Sequence, residues 1–105
     1  MVGELETQLA HAQLAIEGMV RLANDYDFEP SLALSNRVYL YKNLATRACL
    51  ATVEKAMEAT GGASFFRKHG LERLFRDIQG VRFHPWQEKR QYLFSGKIAL
   101  GLEPV

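Results

Sequence analysis

The longest helical pattern in the chain runs from about Leu32 to Thr60 and stops at two glycines, Gly61 and Gly62. A glycine pair ends a helix readily because glycine takes positive φ without steric cost. The first half offers the larger side chains Leu34, Val38, Tyr41 and Leu44, and the second half is rich in small residues: Ala45, Ala48, Cys49, Ala51, Thr52, Ala56 and Ala59. Because small residues let another backbone come close, the pattern predicts a close helical neighbour.

A first helix is predicted from about Gly3 to Asn24. Its apolar stripe, at spacings of three and four, is Leu5, Leu9, Ala12, Ile16, Met19, Ala23 and Tyr26. Gly18 lies in the interior of this helix. It either weakens the helix or permits another helix to come close. Pro30 marks a short turn, and Ser31 or Ser35 can cap the following helix. A link this short predicts that the two helices are antiparallel neighbours.

Shorter elements follow the glycine pair. One turn is predicted over residues 63–69, capped by Ser64 and ended by Gly70, and a short helix runs from Leu71 to about Gln79 before Gly80. The last helix is predicted to begin at Pro85, a favourable first helical position, and to run to about Leu100. Phe65 and Phe66 are predicted anchors in a core or an interface. The fold class is therefore all-α, an antiparallel up-and-down bundle.

Composition restricts the functional classes. With 105 residues, of which 48% are hydrophobic, the chain fits one domain, 1–105. The single cysteine excludes an intramolecular disulfide. The sequence shows neither a signal peptide nor an apolar run of about 18 residues, so it predicts no membrane span. A reducing cytoplasm is the expected location.

Charge is uneven along the chain although the net charge is only +1. Residues 1–60 carry eight acids and five bases, whereas residues 61–105 carry eight bases and four acids. A basic second half suits an anionic ligand or an acidic neighbouring surface, or is simply a solvated face. Nucleic-acid binding is not predicted, because the aromatic residues are expected in the core.

The order of landmarks from Glu58 to Asp77 resembles the C-terminal helical domain of the acyl-CoA dehydrogenase family. The shared landmarks are Gly61-Gly62, the Arg76-Asp77 pair and the final helix. The resemblance implies a partial bundle, because the family's full chain also has an N-terminal helical domain, a central β domain and one further bundle helix. It also implies a structural role for Arg76 and Asp77, which tie the short helix to its surroundings.

The same resemblance implies FAD as cofactor and an acyl-CoA as substrate of the full-length protein, within fatty acid metabolism. The glycine turn would contact the adenosine half of FAD in the adjacent subunit, which gives the cofactor-binding residues Glu58, Gly61, Gly62 and Gln87. Glu58 stands where the family has a glutamine, and it would repel a pyrophosphate unless turned aside or paired. Gln87 stands where the family has a threonine, and Ser64 replaces a glycine.

No catalytic residue is predicted within the chain. In many members of the family the base is a glutamate at the start of the last helix, and that position falls on Pro85, which cannot take a proton. Other members place the base on an earlier helix of the same domain, which would precede Met1 here. His84 is the nearest other titratable group, and we interpret it as a helix-start contact. No histidine, cysteine and carboxylate share a metal-ligand spacing, so no metal is expected.

Self-association is expected, since a partial bundle leaves apolar surface without partners. The predicted contacts of a homo-oligomer are Ala48–Ala59 or Phe65–Trp86. Two alternatives to a dehydrogenase stay open at this point. One is a flavin-dependent monooxygenase of the same superfamily, whose members share the bundle and lack the glutamate. The other is a non-catalytic helical assembly module.

Overall fold

A computed structural model describes residues 1–104. Within this range the chain forms four α-helices: α1 (Val2–Ala23), α2 (Leu32–Thr60), α3 (Leu71–Ile78) and α4 (Glu88–Ala99). Short 3₁₀ turns at Asn24–Tyr26, Gly61–Phe65, Arg67–His69 and Gln79–Arg82 connect them, and no strand occurs within residues 1–104. The all-helical prediction is confirmed. The molecule is elongated, 48 × 26 × 22 Å, because α2 spans most of its length.

Helices α1 and α2 are antiparallel neighbours, as the short link predicts. Glu4 pairs with Lys55 at 3.1 Å near one end. Near the other end the ring of Tyr41 lies against Gly18, where a Cβ would meet it at 3.1 Å. This register brings Ala12 and Ala15 of α1 to the level of Ala48 and Ala45 of α2, and all four alanines are buried.

The predicted stripe of α1 is wrong in part. Leu9 and Ile16 are 40% and 45% exposed, whereas the neighbouring Ala15 is buried. The inward line is instead Leu5, Gln8, Ala12, Ala15, Met19 and Leu22. The contact with α2 is centred on the buried alanines at positions 12, 15, 45 and 48, so Leu9 and Ile16 lie at its edge and stay partly exposed.

Helix ends follow local chemistry. The Ser31 hydroxyl accepts a hydrogen bond from the Leu34 backbone N–H at 3.0 Å, which confirms one of the two predicted caps of α2. Gly101, with φ 72°, ends α4, where the Leu102 N–H reaches the Lys97 carbonyl at 2.8 Å. The α-helix α3 ends at Ile78, but helical backbone continues past Gly80, which lies inside the 3₁₀ turn Gln79–Arg82.

The predicted start of α4 at Pro85 is wrong. The helix begins at Glu88, and Gln87 before it is extended, with φ −63° and ψ 149°. Trp86 explains the delay, because its ring stacks on Tyr39 of α2 at 4.6 Å. The backbone around Trp86 therefore follows α2 before the helix begins.

Within residues 1–104 the side chains of Arg76 and Asp77 form ion pairs only inside α3, so the predicted tie to neighbouring elements is not seen there. Arg76 pairs with Glu72 and Asp77 pairs with Arg73, each at 3.6 Å and each one turn away on the same helix. Arg73, Asp77 and Arg76 are more than half exposed and Glu72 is 28% exposed, so these pairs support the helix only weakly.

Two glycines in helix interiors give a matched test of this packing. Gly96→Ala is expected to stabilise the chain by about 0.5–1 kcal/mol, since a Cβ there meets nothing within 4 Å. Gly18→Ala is expected to lower stability instead, by up to about 1 kcal/mol, because the Tyr41 ring must move. Arg37 restrains that ring through a 2.7 Å bond to its hydroxyl. Urea denaturation followed by circular dichroism measures both, and equal stabilisation by both variants would contradict the close contact.

Candidate cofactor-contacting surface

The glycine turn closes α2. Gly61 has φ 70° and ψ −147°, a conformation that side-chain-bearing residues avoid, and its N–H bonds the Met57 carbonyl. Gly62 has an ordinary negative φ. A Cβ at either glycine would meet nothing within 4 Å, so both backbones are open to an approaching group.

Ser64 does not cap the following turn. Its hydroxyl donates to the Gly61 carbonyl at 2.8 Å, and the residue is buried. This hydrogen bond therefore stabilises the conformation of the glycine turn on its buried side. Residues 63–69 form parts of two 3₁₀ turns that meet at Phe66, and Gly70, with φ 75°, ends them as predicted.

The Glu58 carboxylate is paired. Lys55 lies 3.1 Å from it and 3.1 Å from Glu4, so one ammonium serves two carboxylates. A hydrogen bond and the charge of Lys55 lower the pKa of Glu4, and Glu4, followed by Glu58, raises the pKa of Lys55. Pairing with Lys55 partly offsets the repulsion that Glu58 would exert on a phosphate near the turn.

Gln87 is separate from the other three predicted residues. It is the exposed N-cap residue of α4, and its carbonyl accepts the Gln91 N–H at 3.0 Å. Within residues 1–104 no hydrogen bond joins Gln87 to Glu58, Gly61 or Gly62. The structure thus groups three predicted residues in one turn and places the fourth at another helix start.

A polar cavity of about 260 Å³ lies between α2, the turn Gln79–Arg82 and the start of α4. The Lys42 ammonium points to it and donates to the Val81 carbonyl, and burial lowers the pKa of Lys42. Arg47 pairs with Glu88, whose carboxylate also accepts a 2.6 Å bond from the Tyr92 hydroxyl. These bonds lower the pKa of Glu88, chiefly through Tyr92, so it stays a carboxylate at neutral pH.

Gln91 completes the link between α2 and α4. Its side-chain N–H donates to the Ser95 hydroxyl at 2.8 Å, and that hydroxyl donates to Asn36 at 2.5 Å. Gln91 is 3% exposed, and its Oε1 has no partner within residues 1–104. The sequence analysis predicted neither this network nor the polar cavity. The one available signal was Lys42, a charged residue within the apolar run that precedes Leu44.

Cys49 is half-buried, and burial raises the pKa of its thiol, so this residue packs as a small side chain and is not an activated nucleophile. Within residues 1–104 no cluster of histidine, cysteine and carboxylates could hold a metal ion. No helix in the same range is long and apolar enough to cross a bilayer.

The glycine turn allows a second matched test. Gly61→Ala is expected to destabilise the chain by about 1–2 kcal/mol, because alanine is strained at φ 70°. Gly62→Ala should change stability little, since its φ is ordinary and the space beside it is open. Thermal denaturation compares the two variants, and a neutral Gly61→Ala would show that the turn can adopt another conformation.

Comparison with known proteins supports the family resemblance. Residues 1–88 match the family described as acyl-CoA dehydrogenase, C-terminal domain. YdbM of Bacillus subtilis (strain 168), which its name assigns to the acyl-CoA dehydrogenases, is 30% identical over 83 residues. That stretch is 79% of this chain and 21% of YdbM, so the chain spans about a fifth of its relative. No solved structure gives a significant match. The chain belongs to the acyl-CoA dehydrogenase C-terminal domain family.

Proposed function

We propose that this chain is the C-terminal helical domain of an FAD flavoprotein, and that the full-length flavoprotein oxidises an acyl-CoA to the enoyl-CoA. In this proposal the bundle supports self-assembly and lends its glycine turn to the adenosine half of the FAD held by a neighbouring subunit. The observation that carries the proposal is the open glycine turn, Gly61-Gly62, at the end of the longest helix of a chain in this family.

The residues of the turn fit a nucleotide neighbour. Both glycine backbones can be approached closely, and Ser64 fixes the turn from its inner side. Glu58 is held by Lys55, and Arg67 and Lys68 follow on the exposed side of the chain. Bound FAD would supply the hydride acceptor, while this chain would supply backbone contacts and positive charge to its adenosine and phosphate end. Gln87 would contact the same cofactor from the start of α4, and not from the glycine turn.

Amide chemical shifts in the 105-residue chain test the cofactor contact. Titration with FAD is expected to move the Gly61 and Gly62 signals, and AMP, which carries only the adenosine end, should move the same signals. FMN, which lacks the adenosine half, should leave them in place, and the distant Gly101 serves as an internal control. Equal shifts with FMN, or none with FAD, would remove the adenosine contact from the proposal.

The chain alone is expected not to dehydrogenate acyl-CoA when FAD is added. Pro85 occupies the position of the family's base, and Glu88, the nearest carboxylate in the cavity, is engaged by Arg47 and Tyr92. Reduction of an electron-acceptor dye in the presence of acyl-CoA measures the activity. A rate well above that of free flavin would contradict this expectation.

One observation favours a second function, a flavin-dependent monooxygenase of the same superfamily. Proline at the base position suits an enzyme that does not need to remove a proton from an acyl chain. In the longer protein, flavin reoxidation by oxygen with incorporation into substrate would favour the monooxygenase, whereas enoyl-CoA formation would favour the dehydrogenase.

A further inference from the structure

The polar cavity between α2, the turn Gln79–Arg82 and the start of α4 carries more positive than negative charge. Its ionisable lining residues are Lys42, Arg47, Arg82, Glu54 and Glu88. Arg47 and Glu88 pair with each other and so compensate one another. Two cations and one carboxylate remain, and within residues 1–104 none of these three groups forms an ion pair.

The Lys42 ammonium is partly buried and has hydrogen-bonding capacity to spare. An ammonium carries three N–H donors. The acceptor that it meets in the described part of the chain is the Val81 carbonyl, which is uncharged. Burial lowers the pKa of Lys42, and the charge of Glu88 opposes this effect without cancelling it. A partly buried cation without a carboxylate partner favours the entry of an anion.

Arg82 brings a second uncompensated cation to the same place. It directly follows Val81, the residue that Lys42 contacts, and its exposed side chain lines the cavity. Its charge also contributes to the lowered pKa of Glu88, so the guanidinium lies near the start of α4. Lys42 and Arg82 are therefore neighbours at the end of the cavity that the turn closes.

The remaining carboxylate, Glu54, does not balance this pair of charges. It lies twelve residues (54 − 42) beyond Lys42 on α2, which is about 18 Å along the helix axis. That separation exceeds the screening length of about 8 Å in physiological salt. An anion beside Lys42 and Arg82 thus meets two free positive charges and no free carboxylate.

The size and charge of the cavity restrict the anion. A volume of about 260 Å³ is smaller than the roughly 300–1,000 Å³ of cavities that hold drug-sized ligands, so the ligand is small. Two uncompensated cations match a dianion better than a monocarboxylate. A phosphate group carries a charge of about −2 and three strong acceptor oxygens, which suit one ammonium and one guanidinium.

We propose that this cavity binds inorganic phosphate or a small phosphomonoester through Lys42 and Arg82. Lys42 keeps its bond to the Val81 carbonyl and uses its other N–H donors on the phosphate oxygens, while Arg82 closes the outer side. This site is separate from the proposed cofactor contact. Gly61 lies nineteen residues (61 − 42) beyond Lys42, or about 28 Å along α2.

Titration of the chain with inorganic phosphate at constant ionic strength tests the site. We expect saturable shifts of the Val81 and Arg82 amide signals, and a change in the fluorescence of Trp86, which lines the cavity and is the single tryptophan. The dissociation constant should be about 1 mM or lower, and chloride should have no such effect. Tighter binding of glycerol 3-phosphate than of phosphate would assign a phosphomonoester, and equal or weaker binding would assign inorganic phosphate.

Two matched variants separate the site from general attraction of anions. Arg82→Gln should raise the dissociation constant for phosphate about tenfold, because it removes a charge-assisted bond, and should leave stability unchanged. Lys89→Gln removes the same charge from an exposed residue at the start of α4 that does not line the cavity, and should leave phosphate binding unchanged. Lys42→Gln should abolish saturable binding, with circular dichroism to check that the variant is folded.

Three results would overturn the site. One is the absence of saturable phosphate binding to the wild-type chain. Another is equal weakening by Arg82→Gln and Lys89→Gln, which would show attraction by net charge alone. The third is phosphate shifts confined to Gly61 and Gly62, which would remove the cavity site and leave the cofactor contact standing. Conversely, failure of FAD to move the Gly61 and Gly62 signals would remove the cofactor contact and leave this site untouched.

Discussion

Phe94→Ala is expected to lower the free energy of unfolding by about 3–5 kcal/mol, the largest effect of any single substitution considered for this chain. Phe94 is 5% exposed, and the other buried apolar residues within 1–104 are all alanines. Its ring meets Trp86 at 5.1 Å and Tyr39 at 6.1 Å, both edge to face. Removing it leaves a cavity under α4 and takes an edge contact from each neighbouring ring.

Leu93→Ala is the matched control, because Leu93 precedes Phe94 on the same helix and is 60% exposed. It should change stability by less than about 0.5–1 kcal/mol. Urea denaturation followed by circular dichroism gives both values, and Trp86 fluorescence reports whether α4 leaves α2 first. Equal effects of the two variants would show that the aromatic cluster does not hold α4.

Local patterns predicted the elements of the fold because local chemistry determines them. Gly61 and Gly101 end α2 and α4 with positive φ, and Ser31 caps α2 through a bond within one turn. The bounds of α2, Leu32–Thr60, are as predicted. Each of these features depends on residues within about four positions of one another, which a single sequence displays directly.

The remaining features depend on contacts between distant residues. The start of α4 is set by Trp86 stacking on Tyr39, a contact across 47 positions (86 − 39) that helix-start rules do not contain. The inward line of α1 depends on how close α2 comes. The apolar spacing alone allowed Leu9 and Ile16 to face inward, but the contact with α2 is centred on Ala12 and Ala15 and leaves both larger side chains partly exposed.

The residues of the candidate site also fall into two groups: those that are near one another in sequence and those that only the fold brings together. Glu58, in the last turn of α2, lies beside Gly61 and Gly62 at the end of that helix, as their nearness in sequence requires. The polar cavity, by contrast, joins Lys42 to Val81 and Arg47 to Glu88. No local sequence pattern around either partner indicates these pairs, so the cavity could be found only in the folded chain.

The predicted use of the small-residue face needs one correction. Ala48–Ala59 was one of two surfaces expected to bind a second subunit. Its end at Glu58 and Ala59 is exposed, whereas Ala48 is 1% exposed and lies at the level of Ala12 of α1. Its neighbour is thus within the same chain. In the other predicted surface, Trp86 is already stacked on Tyr39, while Phe65 and Phe66 stay exposed.

Ala48→Leu is expected to destabilise the chain by about 2–3 kcal/mol. Ala48 is 1% exposed and Ala12 at the same level is 4% exposed, so the added methyl groups must displace side chains that are already packed between α1 and α2. Because α1 packs almost entirely on α2, forcing the two helices apart weakens the whole length of α1. Thermal unfolding followed by circular dichroism should show a midpoint lower by roughly 8–20 °C for a chain of this size.

Ala33→Leu is the control for Ala48→Leu, since Ala33 is an exposed alanine in the first turn of the same helix. Leucine and alanine have similar helix propensities, so this variant should unfold within a few degrees of the wild type. The comparison also separates packing within the chain from assembly, because it is made at a concentration where both variants have the same mass. If Ala48→Leu then unfolds like Ala33→Leu, α1 does not lie on the alanine face of α2, and that face is again available to a second subunit.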